Sequence, residues 1–452
     1  MKRKFVKILT LVIAVVLIAV VFTACEREIV YVYETANHSH SGTAQSGGGQ
    51  SGGQSGGEQQ SCGEQQIVDV PDDGSSYSFR VWCAEEDEDM IWDMLNTYAD
   101  LHKGNNYTWK VERRGEDIVA NSVLQDVEDA GDIFSFANDQ LGGLIESALM
   151  PISITYNSQI ENQLDVAVTA CNKDGRYYAF PYSYENCFLY YNKSLVSEDQ
   201  VKSLEGLLDL NLKSQYNLGI DMADSYYTTM FLYTFGVEIF GPNGNDASKI
   251  DGTLNNANAL AACSYIANLG KDKKLRSIEK GDQVGALKTG NVAAMISGPH
   301  MISQFKAALG SDFAVTTLPT IKVNGTDTPL VSFSGVKMYG ISNKANRSTK
   351  ENNECMRIAS FLANRDNQQV RLEDREFCPT DVDLFETASE SGIKTVEVVV
   401  KQSEKSNLKP GIKQMANYWT PMGAFLNGVY TLDKKESDWP DGLAAIEAKL
   451  KQ

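Results

Sequence analysis

Acidic side chains and flat rings recur together along this chain, and that pairing is where its chemistry can be sought. Trp82 is followed by Glu85, Glu86 and Asp87, and Phe136 stands three residues before Asp139 in "DIFSFANDQLGG". "AFPYSYEN" brings Tyr182, Tyr184 and Glu185; "DMADSYYTTMFL" adds Asp224, Tyr226 and Tyr227; "QMANYWTPMG" adds Tyr418 and Trp419. An aromatic face suits the apolar C–H face of a sugar ring, and carboxylates accept hydrogen bonds from its hydroxyls, each charge-assisted bond contributing about 1.5–3 kcal/mol. The same set would cage an organic cation such as a polyamine. Asp139, Glu185 and Asp224 could also furnish the acid and base of a glycoside hydrolase. Taken alone, Asp139 fits a helix N-cap and Phe136 a core position equally well.

Such groups must be held by a scaffold, and the hydrophobic periodicity says which. "YSFRVWCA" reads as a strand, and "EDMIWDMLNTYADLHK" follows as a helix with Ile91, Met94, Leu95, Tyr98 and Leu101 at helical spacing. "YTWKVERRG" is strand-like again, "IVANSVLQDVEDAG" helical and "DIFSFA" a buried strand, with Asn138 and Asp139 expected to cap a helix opening "QLGGLIESALM". This alternation predicts an α/β fold built on a largely parallel sheet, with ligands bound beyond the carboxyl ends of its strands. Strand and helix alternate again in "LVSFSGVKMYGISNKA", and "TKENNECMRIASFLANRDNQQVRLE" is an amphipathic helical stretch.

The termini and composition narrow the class. Lys2, Arg3, Lys4 and Lys7, an apolar run from Ile8 to Phe22 and small residues up to Cys25 form a secretory signal over residues 1–24. The apolar run approaches the length of a membrane span, but a Cys directly after "TA" resembles a lipoprotein box, which predicts a lipid on Cys25. Residues 25–76 are rich in Gly, Ser and Gln and read as a flexible tether, in which His38 and His40 are solvated rather than metal ligands. The formal net charge is −18, and loss of the signal's basic residues makes it more negative still. Such a surface repels phosphate backbones, so nucleic acid is not expected as a partner. Seven cysteines beyond Cys25 show no CxxC and no metal-ligand spacing; whether Cys171 and Cys187 pair across the hairpin-like stretch between them stays open. The chain from Tyr77 on is longer than one core usually organises, which predicts two lobes.

These segments also carry a resemblance. "DIFSFANDQLGG", "GRYYAFPYSYENCFLYYNKSL", "LKTGNVAAMISGPH", "TLPT" and "PGIKQMANYWTPM" occur in the order found in extracellular solute-binding proteins of carbohydrate ABC importers, and are similar to the maltose-binding proteins among them. The resemblance implies a two-lobed periplasmic-binding-protein-like fold with a ligand cleft between the lobes and several interlobe crossovers. It implies that residues 77–183 and 333–386 form one lobe and residues 184–332 and 387–452 the other. The implied ligand is an oligosaccharide, most readily a malto-oligosaccharide, with no cofactor and no catalysis. The implied partners are membrane permease subunits, and the protein works as a monomer anchored outside the cell. Position by position it puts Trp82, Glu86 and Asp87 at the end of the first strand, Phe136 and Asp139 beside them, Glu185 after the hairpin, and Asp224, Tyr226 and the stacking residue Trp419 on the opposite lobe. Three positions depart from the pattern: His300 stands where the family has Trp, and Gln140 and Gly423 stand in place of arginines.

Overall fold

The computed structural model describes residues 71–116 and 118–452. Cys25, His38, His40, the signal and nearly all of the tether therefore lie outside the described residues. β1 (Ser76–Cys83), α1 (Glu88–Leu101) and β2 (Asn106–Arg113) follow the expected pattern, with α1 burying Ile91, Met94, Leu95 and Tyr98 as one stripe. α2 (Val119–Gln125) is shorter than predicted. It stops because the Asp126 carboxylate accepts hydrogen bonds from the backbone N–H groups of Glu128 and Asp129, a local turn that competes with helix. β3 (Ile133–Ala137) is buried throughout. The helix expected after it is only a tight turn at Asn138–Gln140 followed by Leu141–Leu144, and no side chain caps either piece. The predicted capping by Asn138 and Asp139 is thus corrected: the fully buried Asn138 amide instead donates to the Lys409 carbonyl and accepts from the Val336 N–H, tying distant segments together.

β4 (Phe180–Asn186) and β5 (Phe188–Asn192) are separated by Cys187 alone, yet they join different sheets. Then come β6 (Tyr216–Ile220), α3 (Ser225–Thr234), β7 (Leu275–Ser277), β8 (Val292–Ser297), β9 (Phe313–Thr316) and β10 (Ser332–Ile341). α4 (Thr349–Leu362), α5 (Arg365–Arg375), β11 (Ser406–Leu408) and α6 (Trp419–Tyr430) follow among shorter elements. The stretch read as one amphipathic helix is two, α4 and α5, because Asn364 leaves the helical conformation and its side chain caps α5 at the Asn367 N–H.

The first sheet has the order β11-β10-β3-β1-β2, with β4 also paired to β10; the second runs β9-β5-β8-β6-β7. In the first sheet β1, β2 and β3 are parallel as predicted, but β10 is antiparallel to both β3 and β4. The reason is connectivity: β10 arrives from the second sheet rather than through a helical crossover from β3. The chain passes between sheets at Asn186–Phe188, again ahead of β10, and a third time after β11, where α6 packs on α3. One apolar core centres on Phe79, Phe134, Phe136 and Tyr339, and a second on Leu218, Phe231, Met422 and Phe425. Cys171 and Cys187, left open by the sequence, are both free and buried.

Candidate functional site

β10 is buried at every position although Lys337 lies in its middle, beside a register shift in its pairing with β4. A bulge of this kind bends a strand and re-aims a side chain. The Lys337 ammonium is 3.0 Å from Glu116 and 3.7 Å from Glu185. On the other side of Glu185, the Lys409 ammonium is 3.7 Å from its second oxygen and 3.1 Å from Asp139. Glu116, Lys337, Glu185, Lys409 and Asp139 therefore form a row of alternating charge, drawn from the loop after β2, from β10, from β4, from the crossover after β11 and from the turn after β3. Both lysines are almost closed to solvent, with 6% and 7% of the side chain exposed.

The electrostatics of the row follow from who has which neighbour. Burial alone would raise the Glu185 carboxyl, but the Lys337 and Lys409 charges outweigh it and hold it below its usual value. Burial pushes Glu116 up, because Lys337 only partly offsets it and Glu185 adds repulsion. Burial works against a charged Lys409, yet Asp139 and Glu185 raise it above the ordinary lysine value. His300, in the turn at Pro299–Met301, is pushed down to about 4 by burial and by the Lys280 and Lys337 charges, so its ring is neutral at pH 7. Its Nε2 is shut off from solvent and has no hydrogen-bond partner among the described residues.

An aromatic row runs beside the charged one. Tyr226, in the first turn of α3, lies nearly parallel to Phe333 at 6.2 Å, and Phe333 meets Trp419 edge-on at 5.5 Å. The Lys409 ammonium sits 5.6 Å from the Tyr226 ring centre, so the two rows touch. Trp419 is half-buried at the start of α6, and its carbonyl accepts a hydrogen bond from the Ser225 hydroxyl at 2.8 Å. Gly423 explains itself here: a Cβ would come within 2.5 Å of the Ala223 carbonyl, so no side chain fits where α6 meets the approach to α3.

The expected residues are not all gathered at these rows. Asp139, Glu185, Tyr226, His300 and Trp419 lie at or beside them. Glu86 is exposed in the turn after β1; burial of its carboxyl would raise its pKa, but its own N–H, Lys337 and Arg375 hold it below its usual value. Asp87 is buried and paired with Arg375 at the end of α5. Asp224 caps α3, its carboxylate accepting from the Tyr226 N–H at 2.8 Å. Phe136 is fully buried and tilted against Phe134, a core position rather than a cleft surface. Trp82 is likewise packed away: its indole N–H donates to Glu112 at 2.7 Å, Arg114 covers its face and Gly131 lies against it. Gln140 reaches the Glu116 carbonyl and the Ala120 N–H, supporting the loop that carries Glu116. Glu116, Phe333, Lys337 and Lys409 were not singled out from sequence. A lone lysine inside the apolar run "LVSFSGVKMYGIS" is the signal that marks Lys337, since a lysine is almost never fully buried unless paired.

Comparison with known proteins agrees with this architecture. The galactooligosaccharide-binding protein of Bacillus subtilis (strain 168) is 26% identical over 392 residues, covering 82% of this chain and 89% of that protein. The maltooligosaccharide ABC transporter solute-binding lipoprotein of Streptococcus pneumoniae (strain ATCC BAA-255 / R6) is 26% identical over 306 residues, 64% of this chain and 69% of that protein. Among solved structures, the maltodextrin binding protein MalE1 from L. casei BL23 superposes with a TM-score of 0.73 at 24% identity, over 83% of this chain and 99% of that one. MalX from Streptococcus pneumoniae, solved with maltopentaose, gives a TM-score of 0.72 at 20% identity over 82% and 99%. These likenesses show the two-lobed periplasmic-binding-protein-like fold, with its cleft between lobes. Residues 96–389 match the family described as bacterial extracellular solute-binding protein, and the chain belongs to that family.

Proposed function

We propose that this protein binds a neutral oligosaccharide in the cleft between its lobes and delivers it to the permease of an ABC importer. The observation that carries this reading is the charged row lying against the aromatic row. Three carboxylates largely offset by two buried lysines offer acceptors for sugar hydroxyls with little excess negative charge, and the lysines offer donors for sugar oxygens. The rings of Tyr226 and Trp419, backed by the fully buried Phe333, supply an adjoining apolar flank. The same balance disfavours a polyamine, which would meet two ammonium groups among the acids. It also disfavours a hydrolase that uses Asp139, Glu185 and Asp224: Lys409 holds the first two as acceptors and the third caps a helix.

The names of the related proteins make malto- and galacto-oligosaccharides the first ligands to try, malto-oligosaccharides before the others. The lobes that close on the sugar are, in outline, residues 77–183 with 333–386 and residues 184–332 with 387–452; because β4 and β11 both pair with β10 in the first sheet, their turning points are taken at Asn186–Phe188, ahead of β10 and after β11. The protein works as a monomer, without a cofactor, held at the membrane by a lipid on Cys25 so that the tether keeps it near the permease. Calorimetry with maltotriose and a galacto-oligosaccharide, at low and high salt, tests the reading. Saturable binding that changes little with ionic strength and leaves the sugar intact is expected. No binding of either sugar, or a steep loss of affinity with salt, would discard it, and released products would make the protein an enzyme. Fatty-acid labelling that is lost in Cys25→Ser checks the anchor.

A further inference from the structure

We propose that Lys409 is a positioning residue of the cleft: anchored by its backbone at a crossover, it holds Asp139 and Glu185 as oriented acceptors and presents them beside Tyr226 of the opposite flank. The anchoring is specific. The Lys409 N–H donates to the Ser334 carbonyl at 2.8 Å, and its own carbonyl accepts from the buried Asn138 amide at 2.7 Å. Asn138 also accepts from Val336, so one buried side chain fixes the crossover to β10. From this fixed point the aliphatic part of Lys409 passes over Gly335. A Cβ there would meet the lysine Cε at 2.6 Å, its Nζ at 2.9 Å and a Glu185 oxygen at 3.3 Å. A glycine opposite Glu185 in the β10–β4 register is thus what leaves room for an ammonium between the two carboxylates.

An ion pair that served stability alone would be replaceable by apolar groups, often without loss. In a cleft that must offer carboxylates to hydroxyl groups, the ammonium has a second effect, because a desolvated carboxyl deprived of its cation takes up a proton and ceases to be a pure acceptor. The groups facing this centre are Lys337 on β10, His300 in the turn before the helix Ile302–Leu309, Glu116 in the loop after β2, Asp139 in the turn after β3, Tyr226 on α3 and Cys187 beyond β4. Lys337 remains when Lys409 is removed but must serve Glu116 as well as Glu185. Glu185 then has one shared cation instead of two.

The inference rests on the sugar-binding reading for its ligand arm only. In the ligand-free protein, carbon-13 carboxyl spectra, with Glu185 assigned from a Glu185→Gln sample, should show Glu185 titrating at higher pH in Lys409→Met than in the wild type. Lys413→Met is the control, since its ammonium pairs with the exposed Glu146 at 2.8 Å and should leave the Glu185 signal in place. With maltotriose, wild-type affinity should be flat between about pH 5 and 8, whereas Lys409→Met should lose about tenfold or more at the acidic end and recover part of it at the alkaline end. Gly335→Ala, which displaces the lysine, should move affinity in the same direction. If Lys409→Met does not fold, Lys409→Gln carries the same expectation. A Glu185 titration unmoved in the variant, or a variant profile parallel to the wild type, overturns the role of Lys409. If the wild type binds no saccharide, the function proposed above fails while the carboxyl titration still decides on Lys409.

Discussion

The two rows proposed as the flanks of the cleft are built on opposite principles. The charged row is electrostatically prearranged: five groups from five separate segments hold one another, and Glu185, between two ammonium groups, is held below its usual value. The aromatic row is arranged by packing: Phe333 is fully buried, Tyr226 and Trp419 are partly buried, and the rings lean on the second core. Under the proposed function the difference makes orientation of a sugar's hydroxyls and affinity for its apolar faces separable, since the first depends on charge neighbours and the second on a ring's support.

The contrast can be broken most severely at the support. Phe333→Ala should cost stability rather than affinity alone, about 3–5 kcal/mol in a denaturant melt, because it empties a fully buried site between three rings. Trp419→Ala should leave the fold standing and weaken maltotriose binding by roughly 2–4 kcal/mol, as loss of a half-buried ring at an interface does. A stability loss without a binding loss would make Trp419 a core residue. On the charged flank Asp139→Asn should weaken binding by about 1.5–3 kcal/mol; because it also takes one carboxylate from the buried Lys409, which then keeps Glu185 alone, the melt is recorded alongside and affinity is read on folded protein. Unchanged calorimetry would remove Asp139 from the site.

The smallest effect concerns His300, whose folded-state value of about 4 lies below its ordinary 6.5. A depressed value means that the unfolded chain binds the proton first. Stability associated with the neutral ring is therefore complete above about pH 6.5 and is lost as the pH falls toward 4. His300→Gln should flatten that acid limb in melts taken across the range, and an identical limb in the variant would exclude His300 as its source.

What was legible in the sequence differs between the flanks in the same way. Acids and rings announce themselves by type, so Asp139, Glu185, Tyr226 and Trp419 could be named before any coordinates. Phe136 and Trp82 were named by the same rule and lie in the packed interior, because residue type does not say which face of a strand a ring occupies until the neighbouring strands are placed. The lysines were passed over because their role depends on who surrounds them, and those neighbours are far away in the chain.

The sequence by itself determined the class: local periodicity places the strands and helices, the order of motifs carries the family, and the apolar runs define the cores, because each of these is written in neighbouring residues. Only the tertiary structure decided the site. Asn138 caps nothing and instead joins two crossing segments, Asp224 caps a helix, and Lys409 stands between carboxylates more than two hundred residues away, since hydrogen bonds and charges are settled by distances that the folded chain alone creates.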